Sequence, residues 1–120
     1  MRRLAIVEDN PDNMMLVTVL LEDDYLLDTY EDGPSALVGI REVPPDLVLL
    51  DVSLPGMDGP EVLARLREWT SVPVIALTAH AMTGDRKMFL ESGFSGYVSK
   101  PIVDEQVLYN EIERLLPEAS

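Results

Sequence analysis

The chain has 120 residues, no cysteine, and nine Lys and Arg against 22 Asp and Glu, a formal net charge of −13. That length fits one domain, and an apolar fraction of 47% is enough for a packed core. The charge opposes direct contact with nucleic acid or an anionic membrane surface. The missing thiols exclude disulfides, thiolate metal sites and thiol catalysis.

Short apolar runs alternate along the chain with longer amphipathic segments. Arg2 and Arg3 precede the run Leu4–Val7, which stops at Glu8, Asp9 and Asn10. This start is too short for a signal peptide, and no stretch approaches a membrane span, so the expected compartment is the cytoplasm. From Pro11 to Glu22 apolar residues recur at helical spacing, with Asn10 suited to cap the helix and Pro11 to its first turn. Tyr25–Tyr30 reads as a second strand leaving through Glu31, Asp32 and Gly33, and Ser35–Arg41 as a short helix interrupted by Gly39. After Pro44 and Pro45, the segment from Asp46 to Asp51 is a buried strand bracketed by acids. Ser53–Gly59 is a glycine- and proline-bearing loop, and Pro60–Trp69 a helix. Pro73–Leu77 is the fourth strand, Gly84–Ser92 a helix stopped by Gly93, Gly96–Ser99 the fifth strand, and Asp104–Leu116 the last helix. Met14, Met15, Met82 and Met88 are expected to serve helix packing.

Five strands alternating with five helices, with runs such as Leu47–Leu50 apolar throughout, predict an α/β fold whose parallel sheet is covered on both faces. In such a sheet the ligand site lies beyond the carboxyl ends of the strands, where strand order reverses. Glu8 and Asp9 follow the first strand, Asp51 ends the third, Thr78 follows the fourth and Lys100 the fifth. If the first and third strands are neighbours, three carboxylates converge opposite a hydroxyl and an ammonium. Such a cluster either raises its own pKa values or takes up a cation. Oxygen ligands suit Mg²⁺, which binds one or two carboxylates together with a phosphate. Lys100 and Thr78 can donate to phosphoryl oxygens, and one carboxylate can act as nucleophile.

Five segments in this order resemble the receiver domain of two-component response regulators. They are Leu4–Asn10, Asp46–Asp51, Leu54–Gly59, Pro73–Ala79 and Tyr97–Pro101. Each is weak alone; together they span nearly the whole chain. The resemblance implies a doubly wound, flavodoxin-like receiver with sheet order 2-1-3-4-5, occupying residues 1–120 with no output domain. It implies that Asp51 accepts the phosphoryl group. Mg²⁺ would be held by Asp9, Asp51 and the backbone carbonyl of Ser53, with Glu8 acting through water. Lys100 would pair with the phosphoryl group, and Thr78 and Tyr97 would form the switch. The Lys100–Pro101 bond is cis in that family. The partners implied are a histidine kinase or histidine phosphotransfer protein and a downstream protein, with room for a homodimer. The downstream protein would be met by the face of the fourth helix, fifth strand and fifth helix, where Met88, Tyr97, Val103, Gln106 and Val107 are candidates. The run from Thr78 to Met82 followed by Gly84, Asp85 and Arg86 resembles receivers that act alone or are attached to hybrid kinases.

The chain would then be no enzyme toward external substrates and would catalyse only its own phosphorylation and dephosphorylation. A haloacid dehalogenase-type phosphatase also uses an Asp after a buried strand, but needs a second Asp where Ser53 stands. A flavodoxin-like cofactor site needs a phosphate cradle after the first strand, where Glu8 and Asp9 would repel it. A degenerate, interaction-only receiver would not be expected to keep all five site positions. His80, the single histidine, and Ser53 are rim positions, and a lone His is poor evidence for a transition metal. Two positions depart from the family pattern: Asp24 stands where Gly often ends the first helix, and Tyr30 where a small residue is common.

Overall fold

The computed structural model describes residues 1–79, 85–100, 102 and 104–116. In chain order the elements are β1 (Arg3–Val7), α1 (Pro11–Leu21), β2 (Leu26–Tyr30), α2 (Gly33–Glu42), β3 (Leu47–Asp51), α3 (Gly59–Arg67), β4 (Val74–Thr78), α4 (Asp85–Glu91), β5 (Gly96–Ser99) and α5 (Glu105–Leu115). All five strands are parallel, in the order β2-β1-β3-β4-β5. This is the expected topology. The chain winds outward from β1 to β2, then crosses back to β3, so the strand order reverses between β1 and β3.

Four of the helices begin where polar side chains replace missing backbone partners. Asn10 accepts from the N–H groups of Asp12 and Asn13 at 2.9 and 3.1 Å. Asp32 serves α2 through Ser35, Asp58 serves α3 through Glu61, and Asp104 serves α5 through Gln106. Each cap satisfies a donor that the first helical turn leaves open. The Asp32 cap corrects one expectation. Gly33 does not lie in an exit turn but opens α2, two residues earlier than the apolar pattern suggested. Gly93 ends α4 with a φ of 104°. The N–H of Phe94 returns to the Phe89 carbonyl at 3.0 Å and that of Gly93 to Leu90 at 3.1 Å, a left-handed stop that a side chain would strain. Asp24 needs no such conformation, since no non-glycine residue has positive φ among the described residues.

Period-two alternation sends each strand's side chains to opposite faces. Val48 and Leu50 enter a core with Ala36, Ile40, Val62, Leu63, Leu66 and Phe89, under α2, α3 and α4. Leu47 and Leu49 enter a second core with Val17, Leu21, Leu108 and Ile112, under α1 and α5. β3 and β4 are buried along their whole length, whereas edge strand β2 is only partly covered. Two methionines are a correction: Met15 is 68% and Met88 52% exposed, so neither is core packing, whereas Met14 packs against the second core as expected. Met82 lies outside the described residues.

The end of the sheet remote from the strand carboxyl termini is closed by polar contacts. Arg2 bridges Glu113 at 2.7 Å, Tyr25 donates its hydroxyl to Glu113, and Tyr109 donates to the Leu20 carbonyl and to Asp24. The Tyr25 and Arg2 donors hold the Glu113 carboxyl below its ordinary range. A depressed folded-state pKa contributes stability that is present above the unfolded value and is lost as pH falls through the folded one. Between about pH 6 and about pH 3, wild type should therefore lose more stability than Glu113→Gln. Urea midpoints followed across that range check this; parallel curves for the two proteins would remove Glu113 from the acid response.

Candidate functional site

β1 and β3 pair directly, with Val7 opposite Leu50, so Glu8 and Asp51 emerge side by side at the carboxyl edge of the sheet. Glu8 and Asp51 are buried, at 1% and 2% exposure, and Asp9 beside them is exposed. One carboxylate oxygen from each of Glu8, Asp9 and Asp51 lies within 4.8 Å of the others. The ammonium of Lys100, just past β5, lies 3.2 Å from Glu8 Oε2 and 3.2 Å from Asp51 Oδ2. Lys100 is carried there by β5, and its backbone N–H donates to the Thr78 carbonyl at 2.7 Å. Thr78 is buried at the end of β4, the strand next to Asp51. Ser53 follows in the exposed loop, and its N–H donates to Asp51 Oδ1 at 2.9 Å.

The loop after Asp51 is held close by Gly59. A Cβ at position 59 would stand 2.8 Å from the Asp51 carbonyl oxygen and 2.5 Å from Val52 Cα. The loop can fold back onto the strand end only because that atom is absent.

Charge in the cluster is unbalanced: three carboxylates face one ammonium. Burial, the contact with Asp51 and the repulsion from its charge push the Glu8 carboxyl up, against the pull of the Asn10 N–H and Lys100. Burial alone would lower the Lys100 ammonium, but the Asp51 and Glu8 carboxylates outweigh it and raise its pKa. The ammonium is therefore fixed as a cation at neutral pH. The donor set is entirely oxygen, carries excess negative charge and faces outward at Asp9. It suits a hard divalent cation such as Mg²⁺ and offers nothing to a soft metal.

Residues 4–113 match the response regulator receiver domain family. The chain belongs to that family. This receiver is 40% identical over 112 residues to the sensor histidine kinase GacS of Pseudomonas protegens, covering 88% of this chain and 12% of the kinase. It is 39% identical over 108 residues to the DNA-binding response regulator MtrA of Mycolicibacterium smegmatis, covering 89% of this chain and 47% of the regulator. The receiver thus spans about an eighth of the first relative and about half of the second. Its structure is similar to the receiver domain of a Pseudomonas aeruginosa sensor histidine kinase that has a magnesium ion coordinated in its active-site cleft. There the TM-score is 0.85 at 31% identity, covering 95% of this chain and 96% of that one. The Vibrio cholerae chemotaxis protein CheY4 gives a TM-score of 0.86 at 25% identity, covering 97% and 99%. The receiver is accordingly a two-component signalling module. Among the described residues no helix is long and apolar enough to cross a membrane.

The fold brings together Glu8, Asp9, Asp51, Ser53, Thr78 and Lys100, the residues singled out at strand ends. Tyr97 stands apart from them on β5, half-buried, with its ring centroid 6.0 Å from that of Phe89. His80, Val103 and Pro101, before which the resemblance implies a cis bond, lie outside the described residues. The sequence reading missed one feature of the receiver. Met15 and Val19, 68% and 59% exposed, lie along a groove of about 320 Å³ whose lining also includes Glu8, Asp9 and Glu31. The signal was present, because α1 is apolar nearly all round, from Met14 to Val17 and from Val19 to Leu21. A helix with only one face on a core does not need that many apolar residues.

Proposed function

We propose that this receiver accepts a phosphoryl group on Asp51 from a phosphohistidine of a histidine kinase or histidine phosphotransfer protein, and that Mg²⁺ is required. The observation that carries the reading is the buried Asp51 carboxylate, held by Lys100 at 3.2 Å inside the cluster with Glu8 and Asp9. Asp51 Oδ attacks phosphorus, the P–N bond breaks, and its electron pair returns to the imidazole nitrogen. Lys100 and the Thr78 hydroxyl donate to the phosphoryl oxygens, supplying positioning and charge stabilisation. Asp9, Asp51 and the Ser53 carbonyl would hold Mg²⁺, with Glu8 acting through water. When bound, the ion neutralises charge that the incoming phosphoryl group adds to an already negative site. Hydrolysis of the acyl phosphate by water returns Asp51 to its carboxylate, so the chain acts on itself alone.

The exposed apolar strip of α1 beside Asp9 gives the donor protein a place to rest within reach of Asp51. Phosphorylation then biases Thr78 and Tyr97, and through them the face of α4, β5 and α5. Met88 and Val107, 52% and 53% exposed, offer that face apolar contact for a downstream protein or a second copy of the chain. We place the module in the cytoplasm, with residues 1–120 forming the receiver unit. Intact mass after incubation with acetyl phosphate and Mg²⁺ tests the reading: one phosphoryl adduct is expected, lost in Asp51→Asn.

A further inference from the structure

Tyr30 is a large residue at the end of edge strand β2, and the fold shows what it meets. Its ring occupies the space beside Gly39 of α2, where an added Cβ would overlap the ring at Cε1, Cζ and the phenol oxygen. The large residue on β2 and the missing side chain on α2 are thus complementary. β2 is an edge strand, and Tyr30 is its sole contribution to the core beneath α2 among the described residues. On that same face of β2, Leu26 is 44% exposed and Asp28 is paired with Arg3.

The main chain at this point leads into the site. Tyr30 pairs with Val7, and its carbonyl accepts the N–H of Glu8 at 3.0 Å. Glu8 in turn carries the carboxylate that meets Lys100 and Asp51, and Asp9 is the next residue. The outer side of the carboxylate pair therefore leans on the last rung of an edge strand. The side chain of that rung packs against the core beneath α2, over Gly39.

We propose that Tyr30, seated on Gly39, is a positioning residue for the Mg²⁺ site, fixing the backbone that presents Glu8 and Asp9. The inference rests on the metal reading of that site. A ring that merely fills space would change stability alone. A ring that sets the Glu8 backbone changes metal affinity in the folded protein as well, because supporting contacts govern how well ligands are aimed.

The test is Mg²⁺ titration of the full chain by calorimetry, well below the melting temperature, with amide exchange at Glu8 as a second readout. Tyr30→Ala should bind Mg²⁺ about tenfold more weakly, a loss typical of removing a supporting contact. Its Glu8 amide should exchange faster while those of β3 and β4 do not change. Tyr30→Phe keeps the ring and should bind as wild type does. Gly39→Ala should reproduce the weakening, although Ala favours the helix, because its methyl displaces the ring. If Tyr30→Ala does not fold, Gly39→Ala and Tyr30→Phe decide. Wild-type affinity in Tyr30→Ala or Gly39→Ala, with Glu8 exchange unaltered, would overturn the inference and leave the metal site standing. A wild type that binds no Mg²⁺ would overturn the metal reading and this inference with it.

Discussion

Asp51→Asn should take up no phosphoryl group from acetyl phosphate, while wild type gains one adduct in the presence of Mg²⁺. The amide matches the carboxylate in size but is a far poorer nucleophile, so the acyl phosphate does not form. The fold should persist, because the change leaves Asp51's neighbours Leu50 and Leu77 packed as before. Without Mg²⁺ the variant should melt no lower than wild type. It removes one of three carboxylates that face the single Lys100 ammonium, and that relief offsets the lost ion pair. Intact mass and thermal melting of the two proteins check both halves. A single stable adduct on Asp51→Asn would show that the nucleophile is elsewhere. An unlabelled wild type, under conditions where another receiver labels, would favour a module used for interaction alone.

Mg²⁺ should stabilise the wild-type chain, and chelation should abolish labelling. An ion that binds only the folded state, at ten times its dissociation constant, contributes about 1.4 kcal/mol. For a domain of this size that corresponds to a rise of about 5 °C in Tm. Asp9→Asn and Asp51→Asn should each lose most of that rise, since each removes a charged ligand from the cluster. Melting curves with Mg²⁺ or with EDTA measure it. Undiminished labelling in EDTA would sink the metal requirement, and an equal rise in all three proteins would place the ion somewhere else.

Much of this receiver was legible locally. Helix starts were written in Asn10 followed by Pro11, where a cap satisfies open N–H groups within three residues. Strands were written as apolar runs ending abruptly in polar residues, which is why Glu8, Asp51, Thr78 and Lys100 could be picked out from their place at strand ends. Element bounds moved by one or two residues where a cap overrode the apolar pattern, as Asp32 did at Gly33. The exposure of Met15 and Met88 does not follow from periodicity, which says that a helix has an apolar side, not whether another element covers it. Met15 belongs to an apolar stretch, yet no neighbouring element buries it.

The type and order of the elements, the helix caps and the chemical identity of each strand-end residue follow from the chain alone, since each depends on interactions within a few residues. That Lys100 reaches Glu8, 92 positions away, follows only from the tertiary structure. So does the closeness with which the pairing of β1 and β3, an order the family resemblance implies, sets Glu8 and Asp9 beside Asp51 in one acidic cluster. So do the seating of Tyr30 on Gly39 and the exposure of α1 beside Asp9. The physical reason is that sheet order is decided by how the crossover helices pack on both faces, a balance among distant apolar surfaces that no short stretch of sequence contains.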